Sequence, residues 1–137
     1  MLKRKIDKYL EEWKASADKK PLIVKGARQV GKTASIRYFG EKYYKYIVEI
    51  NFALQPKYKQ IFADGYEVDS IIKNITLLNP SLVVVPHETL LFFDELQEYP
   101  DCATSLKSFK QDGRYDVICS GSLMGLYYQQ IESNSVG

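Results

Sequence analysis

The sequence predicts an α/β fold built on a parallel sheet, and three observations carry that prediction. Short uninterrupted apolar runs at 22–24, 90–93 and 117–119 read as strands buried on both faces, the habit of parallel sheets. Helical apolar spacing fills the intervals between them, and strands that alternate with helices imply crossover connections. The third observation is scale. A chain of 137 residues, 45% hydrophobic and 26% charged, is one ordinary domain with enough length for a real core.

The same composition excludes a disordered chain, a collagen-like repeat and a coiled coil. No apolar run approaches the roughly 20 residues that span a bilayer, and charges interrupt the basic N-terminus before any secretory segment can form. Two cysteines, Cys102 and Cys119, do not make a disulfide framework and fit a reducing, cytoplasmic setting. A net charge of +2 is too small to argue for nucleic acid, and the single His87 leaves no histidine-based metal cluster.

Taken in order, residues 2–15 place Leu2, Ile6, Leu10 and Trp13 on one face of an amphipathic helix. Lys3, Arg4, Lys5 and Lys8 crowd its start while Glu11 and Glu12 come later, a polarity opposed to the helix dipole. The apolar stripe must therefore hold this helix, and the lysines read as its solvated face. A polar turn at 16–20 ends it, and Pro21 opens the first buried run. A second helix is expected over 33–39, with Gly40 as its C-cap. In 44–52, Tyr44, Tyr46, Val48, Ile50 and Phe52 alternate with Lys45, Ile47, Glu49 and Asn51. That period of two marks a strand with one wetter face, near a sheet edge. Val68, Ile71, Ile72, Ile75 and Leu78 form a helical stripe that stops before Pro80. Residues 82–85 read equally as a short strand or a helix end. Ala103, Leu106 and Phe109 form the last stripe, with Asp101 as its N-cap. There are no internal repeats, low-complexity tracts or linkers.

Between the first strand and the second helix lies Gly26-Ala27-Arg28-Gln29-Val30-Gly31-Lys32-Thr33, which fits G-x-x-x-x-G-K-[ST] at every fixed position. Gly26 and Gly31 permit backbone angles that let consecutive N–H groups turn inward around phosphate oxygens. The following helix N-terminus aims about +0.5 charge at the same oxygens. Lys32 can reach the β- and γ-phosphates, and the Thr33 hydroxyl can ligate Mg²⁺. Arg28 and Gln29 lie inside the loop and either touch nucleotide or face solvent.

Leu90-Leu91-Phe92-Phe93-Asp94-Glu95 is a buried run that ends in two carboxylates. On a parallel strand both acids emerge at the carboxyl end of the sheet, where the phosphate loop also leaves. Asp94 there can hold Mg²⁺ through its water shell, and Glu95 can polarise a water for attack on a γ-phosphate. Ser120 ends the next run and points toward the same crevice, where a hydroxyl could bond the water or the γ-phosphate. Ser122 is the rival for that role, and a plain turn at 120–122 is the alternative.

These residues resemble the ATPase core of the AAA+ superfamily, within the P-loop class that carries a glutamate beside the metal-binding aspartate. Residues 26–33 match Walker A, 90–95 match Walker B, and Ser120 falls where sensor 1 is expected. The stretch Phe93-Asp94-Glu95-Leu96-Gln97-Glu98-Tyr99-Pro100, with Ser120-Gly121-Ser122-Leu123 downstream, is similar to a prokaryotic group of AAA+ proteins. Members of that group carry a C-terminal domain of unassigned function.

The resemblance implies a three-layer P-loop sandwich over 1–137, with an N-terminal helix at 2–15 and a nucleotide-binding core at 21–131. It implies strand order 5-1-4-3-2, of which the runs after Pro21, Tyr44, Thr89 and Tyr115 supply four. The fifth strand, the helical lid, the sensor 2 arginine and an arginine finger are not found, so a fragment of a longer ATPase is expected. The resemblance also implies ATP and Mg²⁺ as ligands. Nucleotide contacts are expected from Gly26, Ala27, Arg28, Gln29, Val30, Gly31, Lys32, Thr33 and Ala34. Metal contacts are expected from Thr33 and Asp94, and catalytic roles for Glu95, Lys32 and Ser120.

Two functions compete: an ATPase module coupled to an absent domain or to partner subunits, and a nucleotide-binding switch without catalysis. A GTPase is disfavoured because no N-K-x-D sequence is present to read guanine. Nothing in the residues specifies nucleic acid. Cys119 reads as core and Cys102 has no basic neighbour, so neither is a reactive thiolate.

Overall fold

Every residue of β3 (Thr89–Asp94) is buried, as expected of a parallel strand covered on both faces. The computed structural model describes residues 5–17, 19–26, 30–99 and 102–122. Among them, β1 (Leu22–Gly26), β2 (Tyr46–Asn51), β3 and β4 (Asp116–Ser122) form one sheet in the order β1-β4-β3-β2. All three pairings are parallel. This is the predicted order without its fifth strand, which is not among the described residues.

Alternate residues of the central strands feed two separate cores. Leu90, Phe92 and Ile118 face α1 (Lys5–Ala15) and α2 (Val30–Tyr43), packing with Leu10, Trp13, Leu22, Ile36 and Phe39. Leu91, Phe93, Val117 and Cys119 face α3 (Val68–Leu78) and α4 (Cys102–Asp112), joined by Ile71, Ile75, Leu106 and Phe109. The result is the three-layer sandwich that strand–helix alternation predicts. A 3-10 segment, Pro56–Phe62, adds Tyr58, Ile61 and Phe62 to the second core. Phe93 stacks on Phe52 with ring centroids 5.9 Å apart.

The predicted stripes fall where expected. In α1, Leu10 and Trp13 are buried and Ile6 packs beside them; Leu2, Lys3 and Arg4 lie outside the described residues. Strand β2 is the edge strand, and its inward Val48 and Ile50 are buried while its neighbours are half-exposed. Asp101, the expected N-cap of α4, lies outside the described residues. Residues 82–85 are neither strand nor helix. They run without a ladder partner, Leu82 and Val84 resting on the second core while the Val85 N–H donates to Thr89 Oγ1 at 2.8 Å.

One expectation is corrected. Gly40 does not cap α2, which continues to Tyr43. A Cβ at position 40 would lie 2.5 Å from Ile47 Cδ1 and 3.1 Å from Leu90 Cδ2. The glycine therefore marks a close approach of helix and sheet, and it remains helical despite its poor propensity. Gly40→Leu is expected to lower stability by about 2 kcal/mol or more through overpacking. Urea denaturation reads this directly, and an unchanged midpoint would contradict the close approach.

At the foot of the sheet, Tyr44 donates its hydroxyl to Asp116 of β4, and burial pushes the Tyr44 pKa well above the usual phenol value. Lys19 reaches the same carboxylate at 3.0 Å, tying the segment after α1 to β4. On the upper part of α2, Arg37 donates Nε and Nη2 to Glu49 of β2 at 2.7 and 2.6 Å. That exposed fork links α2 to the edge strand and adds at most about 1 kcal/mol.

Candidate functional site

Parallel pairing brings the carboxyl ends of β1, β3 and β4 together. Val24 lies opposite Ser120 and Gly26 opposite Ser122, while Phe93 lies opposite Cys119. Asp94, next after Phe93, is thus level with Ser120 on the face that α2 covers. Gly26 ends β1 and Val30 opens α2, so the phosphate-loop sequence spans the strand-to-helix turn. Ala27, Arg28 and Gln29 lie outside the described residues. Gly31, Lys32 and Thr33 are half-buried in the first turn of α2, and Ala34 is exposed beside them.

Asp94 is the hub. Its Oδ1 accepts the Ser120 hydroxyl at 2.6 Å and the Glu95 backbone N–H at 2.8 Å. Its Oδ2 accepts the Thr33 hydroxyl at 3.3 Å, a long bond that exchanges readily for a better partner. The carboxylate is only 7% exposed, so these donors set its orientation. Ser120 is completely buried and its hydroxyl is given to Asp94. The Ser122 side chain is not among the described ones.

Lys32 donates Nζ to the Gly121 carbonyl at 2.9 Å, a contact across 89 residues of chain. Burial lowers its pKa, while the nearby Asp94 and Glu95 carboxylates raise it. The ammonium is therefore held between the end of β4 and the two acids, on a bond to a neutral acceptor. Phosphate oxygens are the stronger acceptor for it, because charge-assisted bonds are roughly twice as strong as neutral ones.

Glu95 carries a backbone feature that its sequence does not announce. Its φ of 56° and ψ of 48° are left-handed, a conformation costing a glutamate about 1–2 kcal/mol. Two neighbours hold it there. Its N–H is bound to Asp94, and the next residue, Leu96, is buried in the core at the start of the 3-10 turn Leu96–Glu98. The strain turns the chain sharply after Asp94 and leaves Glu95 at the crevice, half-buried.

Sequence reasoning brought Lys32, Thr33, Asp94, Glu95 and Ser120 to one place, and the structure assembles all five. It missed the Gly121 carbonyl, because a backbone acceptor leaves no side-chain signature. It also missed the Arg37–Glu49 fork, for which the one signal was an arginine one helical turn after Thr33.

A parallel sheet in this order, with a G-x-x-x-x-G-K-T turn between β1 and α2 and an aspartate at the tip of β3, defines a P-loop nucleotide-binding domain. The chain belongs to the AAA domain family, whose family model matches residues 18–137. The match begins after α1, so that helix packs on the sheet from outside the matched region. A search of the curated proteins returns no match. Among the described residues, no helix is long and apolar enough to cross a membrane.

Proposed function

We propose that this domain binds ATP together with Mg²⁺ and hydrolyses it, using the change in nucleotide state to act on a further domain or a partner. The observation that carries the reading is the convergence of Thr33, Ser120 and the Glu95 N–H on the single carboxylate of Asp94. A hydroxyl and a carboxylate are the hard oxygen donors that suit Mg²⁺, which usually takes one or two protein ligands and completes its shell with water and phosphate. Mg²⁺ bound there would neutralise charge on the phosphate oxygens.

The chain's own residues divide the remaining work. The N–H groups of the loop and of the first turn of α2 cradle the phosphates. Lys32 leaves Gly121 for the β- and γ-phosphate oxygens, and Thr33 gives up its long bond to Asp94. Ser120 stays beneath Asp94 and keeps its orientation. Glu95 accepts a proton from the attacking water as the water oxygen bonds to Pγ. The bond from Pγ to the bridging oxygen breaks, and ADP leaves with that electron pair.

Both cysteines are free and buried, which supports a reducing, cytoplasmic location. Assembly with copies of itself or with a partner protein is part of this reading, and so is membership of a longer chain. ADP release in Mg²⁺ should stop on chelation with EDTA and return when Mg²⁺ is restored. Turnover that persists in EDTA would contradict the metal-holding role of Thr33 and Asp94.

A further inference from the structure

At the opposite end of the sheet from Asp94, an open cleft of about 270 Å³ lies where β1 and β4 begin. Lys19, Lys20 and Lys110 line it, together with Trp13, Tyr115 and Asp116. The wall is built rather than incidental, since Trp13 Nε1 donates to the Lys20 carbonyl at 2.7 Å and fixes the chain after α1. Trp13 and Ser16 precede the region matched by the family model, so α1 and the turn after it contribute to the lining from outside that region.

Among the described residues its lining carries three lysines against the single carboxylate of Asp116. Asp116 serves two ammonium groups, Lys19 at 3.0 Å and Lys14 at 3.9 Å, besides the Tyr44 hydroxyl. Lys20 and Lys110 add two more cations that make no ion pair among the described residues. The Lys14 pKa is lowered first by burial and then by Lys19, while Asp116 raises it.

We propose that this cleft is a second anion site that takes the phosphoryl group of a small phosphate ester. The described residues lining it include three lysines and no arginine. Ammonium groups hold a phosphoryl group as point charges, and three of them around one cleft suit its concentrated negative charge. The volume exceeds that of a bare phosphate and leaves room for a small organic group beside the lysines. Nucleotide in the phosphate loop cannot fill it. Strand β1 has five residues between the two ends, which separates them by about 15 Å. The inference does not depend on hydrolysis at the other site.

Phenyl phosphate is the probe, titrated into the Lys32→Ala protein at ionic strength held constant with chloride. Removing Lys32 weakens phosphate binding at the loop and isolates the cleft. A saturable rise in melting temperature is expected. In the Lys32→Ala background, the further changes Lys20→Gln and Lys110→Gln should weaken binding about tenfold or more. Neither lysine side chain holds another described element, and Lys110→Gln alone serves as a milder second variant. Equal binding with and without the glutamines would overturn the proposal, as would no response beyond that to chloride. Inorganic phosphate binding as tightly as phenyl phosphate would overturn the assignment to an ester. Loss of ATP binding in a separate test of the unsubstituted protein would bear on the phosphate loop alone.

Discussion

Glu95→Gln is expected to leave ATP affinity within about twofold and to lower kcat by about 10²–10⁴, the range for removing a positioned general base. Glutamine keeps the length and shape of the side chain. The backbone N–H of residue 95 still donates to Asp94, and Leu96 still anchors the following turn. Both forces that hold the left-handed backbone are therefore retained, and the proton-accepting carboxylate oxygen is lost. One negative charge near Lys32 disappears as well, a small change beside the phosphates that this lysine would contact. Nucleotide fluorescence reads the binding half, and ADP release reads the catalytic half. Unchanged turnover would remove Glu95 from the mechanism, and the nucleotide-switch reading would then stand.

Asp94 separates architecture from chemistry, because two substitutions should give different results. Asp94→Ala strips the acceptor from the buried Ser120 hydroxyl and from the Glu95 N–H. Each orphaned donor costs about 1–3 kcal/mol, so a loss of roughly 2–6 kcal/mol is expected together with loss of Mg²⁺-dependent activity. Asp94→Asn retains an amide oxygen for both donors, and its NH₂ can donate to Thr33 Oγ1. Its stability should fall by about 1 kcal/mol or less, while Mg²⁺-dependent turnover disappears with the negative charge. Urea denaturation and ADP release, measured on both proteins, give the comparison. Equal destabilisation by alanine and asparagine would mean that the hydrogen bonds converging on Asp94 contribute little to the fold.

Much of this was legible in the sequence because it was written in local pattern. The uninterrupted runs at 22–24, 90–93 and 117–119 became β1, β3 and β4, and the alternation through Val48 and Ile50 marked the edge strand. The spacing G-x-x-x-x-G-K-T placed Lys32 and Thr33 before any contact was known. What resisted reading depended on distant neighbours. Gly40 looked like a helix end because glycine usually is one there; its reason is the Ile47 side chain across the helix–sheet interface. Residues 82–85 carry the apolar content of a strand but find no ladder partner; contact of Leu82 and Val84 with the core and the Val85 bond to Thr89 shape them instead. The left-handed Glu95 follows from a buried Leu96 and a bound N–H, and no residue preference points to it. The Lys32–Gly121 bond joins positions 89 apart through a main-chain oxygen, which no pattern of side chains encodes.

The central claim, that this chain holds a working phosphate loop, is tested most directly by a thermal melt with and without Mg²⁺-ATP. The unsubstituted protein and Lys32→Ala should be run side by side. At a hundredfold excess of ligand over Kd, the unsubstituted protein should gain about 2.7 kcal/mol, a rise of roughly 5–10 °C in Tm. Lys32→Ala should melt at a similar temperature without nucleotide and show little or no rise with it. A rise of the same size in both proteins would contradict the account, and so would a cooperative melt of the unsubstituted protein that Mg²⁺-ATP leaves unmoved.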